Sequence, residues 1–265
     1  MATISYHRPG SVAEAARLAA ADLDARVIAG GQSVLPAMKL GLLVPSAFID
    51  LAGLPELRGI RMAGGSLSIG AMVTHAAVAE SREIRAALPA LSDLAEGIGD
   101  AQVRNRGTIG GSIANSDPAA DYPAAVLALN ATIRTNQRAV TADAFFKGLF
   151  ETDLRAGELI TAIEFPIPTR AAYVKFPQPA SRFALVGVFL AQTDGRVRVA
   201  VTGAAAHAFR LEALEEALAR RFVPEACEAV TVPAQRLNSD LHGSAEYRAS
   251  LIPVLARRAV QRITA

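Results

Sequence analysis

Apolar and polar positions divide the chain into three stretches of different period. In the first, short apolar runs flank one helical segment. Residues 3–8 predict a short strand. Ser11 predicts a helix start, with Glu14 three residues on completing a capping box. Val12, Ala15, Ala16 and Ala19 then form a small-residue face. Arg26–Ala29 (RVIA) predicts a buried strand that runs straight into Gly30-Gly31-Gln32-Ser33, and Phe48–Leu51 predicts another after Pro45.

From Leu57 the pattern changes. Gly64-Gly65 separates two strands, the second carried by the alternating SLSIGAM. Thr74 predicts the start of a helix to about Ala87, and Pro89 a second one to Gly97. Residues 122–129 predict a helix, 131–135 and 139–141 strands paired across Asn136-Gln137, and 159–167 a strand closed by Pro166 and Pro168. The last third predicts strands at 173–176, 183–192 and 196–203. Asp194-Gly195 between the last two is a hairpin signal. A helix follows at Leu211–Arg220, and Ser244 begins a final one that Pro253 is expected to kink or break. The expected class is α+β, in units 1–55, 56–170 and 171–265.

One stretch fits neither period. Asp100–Asp121 (DAQVRNRGTIGGSIANSDPAAD) is too polar for a core element and too long for a turn. It reads as a functional loop, the wall of a ligand site.

Composition narrows the classes. Of 265 residues 51% are hydrophobic and 20% charged, with a net charge of +2. Lys and Arg are not clustered, so no nucleic-acid footprint is present. The single cysteine, Cys227, excludes a disulfide framework and any cluster on the chain's own thiolates, and is expected to be buried and inert. His7, His75, His207 and His242 lack metal-ligand spacing, so no metal is expected. No Ser/His/Asp or Cys/His set is present, so no catalytic side chain is assigned. No run reaches the ~18 residues of a membrane span. MATISYHRPG lacks the regions of a signal peptide, and a cytoplasmic location is expected.

Two glycine pairs are the candidate chemistry. Ala29–Ser33 after a strand can present backbone N–H groups to an anion, with Ser33 adding a hydroxyl; the plainer reading is a tight strand-to-helix turn. Neither G-x-G-x-x-G nor a Walker A motif is present, which disfavours a Rossmann site. Thr108-Ile109-Gly110-Gly111-Ser112 repeats the pattern of hydroxyl and paired glycines. Together the two suggest one diphosphate held from both sides. Asn115, Asp117 and Asp121 follow, either as acceptors for ribose hydroxyls or as Asx-turn and cap residues, Asp121 standing before the helix at 122–129. Arg104 and Arg106 flank the stretch, facing phosphate, solvent or a partner chain. Tyr247 and Arg248 read as packing and surface residues.

These motifs carry a resemblance. AGGQS (29–33) with LPAMKL, QVRNRGTIGGSIANSDPAAD (102–121), FFKGLFET (145–152), GELITAIEFP (157–166), KFPQPASRFALVGV (175–188) and AEYRASLIPVLARRA (245–259) span the chain in order. The chain resembles the FAD-binding medium subunit of molybdenum hydroxylases, the flavoprotein of the carbon monoxide and xanthine dehydrogenase family. The resemblance implies a two-part FAD-binding domain of the vanillyl-alcohol oxidase type, then a C-terminal three-stranded antiparallel sheet with helices. It implies FAD here, a molybdopterin cofactor in a large partner subunit and two [2Fe–2S] clusters in a small one, assembled as a dimer of heterotrimers. It implies transfer of electrons from the nearer cluster to an external acceptor.

By position, Val27, Ile28, Ala29, Gly30, Gly31, Gln32, Ser33 and Val34 would wrap the diphosphate, and Thr108, Ile109, Gly110, Gly111 and Ser112 would close it. Asp121 would hold the ribose or adenosine part, Ile98 and Ile160 would pack near the cofactor, and Lys175 would be a donor to it. Gln32 stands where the carbon monoxide enzymes often carry His, and FPQPASRFA differs from their segment. Both favour an aldehyde, a purine or an N-heteroaromatic over CO. The competing readings are a flavin-free scaffold protein and a stand-alone FAD oxidase of the vanillyl-alcohol type. The covalent-flavin members of that class carry a His or Cys near the diphosphate loop, and here His75 is the only histidine between the two motifs.

Overall fold

A computed structural model describes residues 4–264. The first sheet is parallel: β1 (Ser5–His7), β2 (Arg26–Ile28) and β3 (Ala47–Asp50) in the order β1-β3-β2. Thr3, the first residue of the expected strand 3–8, lies outside the described residues. β3 is buried throughout because it is central, whereas β2, expected to be buried, is an exposed edge. α1 (Val12–Ala21) begins where expected: Ser11 accepts from Glu14 N at 3.2 Å, and the Glu14 carboxylate reaches back to Gly10 N at 2.8 Å. Ala15 packs under it against Ile49, Leu51, Leu54 and Leu57. A short helix, α2 (Val34–Lys39), follows the first glycine pair, as the plainer reading of that segment as a strand-to-helix turn expects.

The second sheet is five-stranded and antiparallel where its strands pair: β4 (Ile60–Ala63), β5 (Ser66–Gly70), β6 (Thr132–Thr135), β7 (Ala139–Thr141) and, in its middle, the strand Ile160–Pro166. Helices cover it and supply about half of its core, with Leu67, Ile69, Leu91, Leu94, Tyr122, Phe145 and Phe165 fully buried. The single helix expected from Thr74 to Ala87 is two, α3 (His75–Glu80) and α4 (Arg82–Ala87). Ser81 breaks it by taking an extended conformation (φ −63°, ψ 125°) and capping Ile84 N with its hydroxyl at 3.2 Å. α5 (Pro89–Glu96) then ends at Gly97 as expected.

The stretch read as a loop is mostly helical. α6 (Ala101–Arg106) is capped by Asp100, which accepts from Val103 N at 2.8 Å. α7 (Ile109–Asn115) is capped by Thr108 and ends on Ser116 in the left-handed region (φ 47°). α8 (Tyr122–Ala128) is buried along its length. Its preceding residue, Asp121, makes no side-chain cap bond.

In the C-terminal part, Arg170–Pro177, Ala184–Thr193 and Arg196–Thr202 form the three expected antiparallel strands. A fourth, Phe209–Arg210, adds a two-residue edge and makes the sheet four-stranded. The final helix, Ala245–Thr264, runs through Pro253 without a break. Arg248 is not a surface residue. It is 3% exposed and donates to Leu185 O at 2.8 Å, to Gly203 O at 2.9 Å and to both carboxylate oxygens of Asp240. It therefore ties the helix to one strand of the sheet and to the residue that follows the next. Cys227 is buried, and burial pushes its thiol up to about 11, so it stays protonated. No helix of the described residues is long and apolar enough to cross a membrane, and no cluster of metal-ligating side chains is found among them.

Candidate functional site

The first glycine pair sits at the carboxyl end of a parallel strand, where open α/β sheets place their ligands. β2 ends at Ile28, and the chain turns through Ala29–Ser33 into α2. Gly31 makes the turn with a φ of 74°. Among the described residues no acceptor meets the backbone N–H of Gly30, Gly31, Gln32, Ser33 or Val34. Ser33 caps nothing, and Gln32 folds its amide back onto Gly30 O at 3.1 Å. Five successive unpaired donors make an anion cradle of backbone dipoles.

The structure brings the second glycine pair up against the first. A Cβ on Gly30 would lie 2.1 Å from Arg106 O and 2.7 Å from Gly107 Cα, so backbone meets backbone there. The second pair itself does a different job from the one its sequence suggests. Ile109 N donates to Val73 O at 3.0 Å, Gly110 N to Ala71 O at 2.9 Å and Gly111 N to Thr108 Oγ1 at 3.1 Å. Those three N–H groups are consumed in fixing α7. Gly110 is a glycine because a Cβ would come within 2.7 Å of Ala71 O, a contact with protein rather than ligand. What this turn retains is the backbone N–H and the hydroxyl hydrogen of Thr108 and the hydroxyl of Ser112, none of which has a partner among the described residues. Between the two turns lies a cavity of about 120 Å³ lined by residues that include Ala29, Arg58, Asn105, Arg106 and Thr108.

His75 supports this crossing from below. Its backbone N–H donates to Gly107 O at 2.9 Å, and its Nε2 lies 2.5 Å from where a Cβ on Gly107 would stand. Its ring packs on Tyr122 with centroids 5.4 Å apart, and both its Nδ1 and the Tyr122 hydroxyl are buried without partners among the described residues. Burial lowers its pKa to about 4, with the Arg104 charge adding to the effect, so the ring is neutral in the native protein at pH 7. The unfolded chain binds the proton more readily, so stability is complete above the ordinary histidine value and falls as pH drops toward 4. The expected loss is about 3 kcal/mol, removed in a His75→Leu variant and read from denaturant midpoints between pH 4 and 7.

A second cluster lies at the far end of the stretch. Asp121, 4% exposed, accepts through Oδ1 from the Tyr173 hydroxyl at 2.5 Å and from Lys175 Nζ at 2.9 Å. Burial raises its carboxyl pKa even against the lysine, and holds the Tyr173 phenol well above its usual range. Lys175 Nζ also donates to Gly97 O and Arg182 O, both at 2.9 Å. Arg104 donates to Ile98 O at 3.0 Å and Gly99 O at 3.2 Å, and Arg182 donates to Gly99 O at 3.2 Å. Three cations thus hold the 97–99 turn, with Ile98 half-buried at its centre. Arg104 is accounted for here, as a turn anchor that sequence reasoning left unassigned.

The other expected site residues are dispersed. Val27 is 36% exposed and Ile28 half-buried on the edge strand. Ile160 is buried at the start of the central strand of the second sheet, and Asn115 is half-buried at the end of α7. Asp117 follows its plainer reading, its carboxylate accepting from Ala119 N at 2.8 Å as an Asx turn.

Residues 2–168 match the family described as FAD binding domain in molybdopterin dehydrogenase. The chain belongs to that family. It is 38% identical to the nicotine 6-hydroxylase medium subunit of Paenarthrobacter nicotinovorans, over 97% of this chain and 96% of that one. It is 37% identical to the carbon monoxide dehydrogenase medium chain of Hydrogenophaga pseudoflava, over 96% and 95%. Among solved structures, reconstituted CO dehydrogenase from Oligotropha carboxidovorans superposes with a TM-score of 0.89 at 34% identity, covering 98% of this chain and 97% of that one. This flavoprotein chain is thus the FAD-binding medium subunit of an oxidoreductase, a molybdenum hydroxylase.

Proposed function

We propose that the chain is the electron-transfer subunit of a heterotrimeric molybdenum hydroxylase, relaying electrons from a [2Fe–2S] partner to an external acceptor. The carrying observation is the row of free amides at Gly30–Val34, lodged against Arg106–Thr108. A dinucleotide flavin needs such a cradle for its diphosphate, and the residues present fit one. When bound, the flavin supplies the redox chemistry, and the protein supplies position and electrostatics.

The chain's own groups divide the work. The amides of 30–34 hold the diphosphate from one side. From the other, the Thr108 and Ser112 hydroxyls reach it within the 108–112 turn. Asp121 orients Lys175 through Oδ1 and keeps Oδ2 for the ribose or adenosine part. Ile98 and Ile160 offer apolar contact, and Asn115 stands at the end of α7 as a further polar contact. Lys175 places a positive charge at the 97–99 turn, where it stabilises the negative charge of a reduced flavin. No side chain here acts as acid or base on the organic substrate, which is hydroxylated in the molybdopterin subunit.

The nicotine-hydroxylase relative and Gln32 in the first loop favour an N-heteroaromatic substrate, with a purine or an aldehyde next. The same reading divides the chain into a two-part FAD domain of the vanillyl-alcohol oxidase type (1–55 and 56–170) and a C-terminal domain (171–265). It expects a dimer of heterotrimers in the cytoplasm. The test is purification of the whole complex from its host. The chain is expected with a small iron–sulfur and a large molybdopterin subunit, its flavin bleaching when an N-heteroaromatic substrate is added without oxygen. A chain that purifies alone and oxidises a phenolic substrate directly overturns the proposal in favour of a stand-alone oxidase.

A further inference from the structure

The carboxyl edge of the first sheet carries more positive charge than the fold requires. Arg8 follows β1, Arg58 and Arg106 line the cavity between the glycine turns, and Asp50 stands at the end of β3. Asp50 is already engaged. It accepts from the Tyr6 hydroxyl at 2.6 Å and from Ala52 N at 2.8 Å, and Arg8 stands 4.0 Å away. Arg58 donates to Ala52 O at 2.9 Å, a neutral partner. Neither Arg58 nor Arg106 has a carboxylate within ion-pair distance among the described residues.

These charges answer a shortfall in the site. The first-turn amides of α7 are spent on Val73 O, Ala71 O and Thr108 Oγ1. Of the second glycine turn's amides only that of Thr108 has no acceptor among the described residues, so this turn has one free donor against five in the first. The amides of 30–34 provide partial dipoles from one side only, and a diphosphate carries two full negative charges.

We propose that Arg106, with Arg58 across the cavity, supplies the missing countercharge and makes this chain select flavin bearing a diphosphate over flavin without one. This rests on the FAD reading above and deepens it. The second motif binds through the arginine preceding its glycines and through its hydroxyls. Its glycine amides serve the packing of α7.

The test is equilibrium binding to the full-length chain stripped of flavin, with FAD, ADP and riboflavin as probes. Arg106→Gln and Arg58→Gln are each expected to weaken FAD and ADP by about tenfold or more, the scale of a charge-assisted contact, and to leave riboflavin unchanged. Arg106→Lys is expected to restore part of the loss, and salt to weaken FAD less in the Gln variants than in the parent. Circular dichroism of each variant separates lost binding from lost fold. A parent chain that binds no FAD overturns the functional reading itself. A parent that binds FAD tightly while both Gln variants bind FAD and ADP equally well overturns the arginine assignment alone. So does a parent that holds riboflavin as tightly as FAD.

Discussion

Gly30→Ala is expected to empty the chain of flavin and to cost about 1–3 kcal/mol of stability, the usual range for forcing atoms into a packed site. The new Cβ would stand 2.1 Å from Arg106 O, 2.6 Å from Arg106 C and 2.7 Å from Gly107 Cα. All three are backbone atoms, so no side chain can swing aside. The two turns must part, and the row of amides then no longer faces Arg106 and Thr108. Gly53→Ala is the control, because a Cβ there meets nothing within 4 Å and the residue needs no unusual φ. Flavin content per chain after purification and the urea midpoint of each variant check the prediction. A Gly30→Ala chain with full flavin content would show that the turns are not the seat.

Lys175→Met is expected to cost about 3–5 kcal/mol at neutral pH, the scale for removing one partner of a buried pair. Nζ is shared among Asp121, Gly97 O and Arg182 O, and its loss leaves a carboxylate that is 4% exposed with only the Tyr173 hydroxyl. The pH dependence has a definite sign. Burial already raises the Asp121 pKa in the native chain, and removing the lysine raises it further. A carboxyl whose folded pKa exceeds its unfolded value favours the fold in its protonated form. The penalty in the variant is therefore largest at neutral and alkaline pH and shrinks as acid protonates Asp121. Lys175→Met/Asp121→Asn is expected to recover much of the loss at pH 7. Denaturant titrations of the single and double variants across pH 5 to 8 check both statements.

The first cradle was legible because its signal is local. A β-rich run ending in two glycines implies backbone approach, and the unpaired amides at Gly30–Val34 are there. The second pair was legible as special but not for its reason. Glycine in sequence does not reveal which atom it makes room for, and at Gly110 that atom is Ala71 O. The same stretch read as loop because Gly110 and Gly111 have poor helix propensity. Long-range bonds from Ile109 and Gly110 to Val73 and Ala71, with caps from Asp100 and Thr108, supply what propensity does not.

The missed features are those that depend on distant partners. Lys175 and Asp121 meet across 54 positions, and Arg248 clamps carbonyls 63 and 45 positions away. The burial of Arg248 therefore has no sequence signal, and the helix it sits on looks like an ordinary amphipathic surface helix. The break at Ser81 did have one, a serine able to cap in the middle of a periodic run. Periodicity across residues 74–87 masked it. The fourth strand of the last sheet, two residues long, is too short to show any alternation.

Titration of the flavin-free full-length chain with FAD, followed by visible absorption of the bound cofactor after removal of free ligand, tests the central claim most directly. A single FAD bound per chain, held tightly by the parent and lost in Gly30→Ala, is the predicted result. A folded parent chain that retains no FAD at saturating concentration, or a Gly30→Ala chain that binds it equally well, would contradict the account.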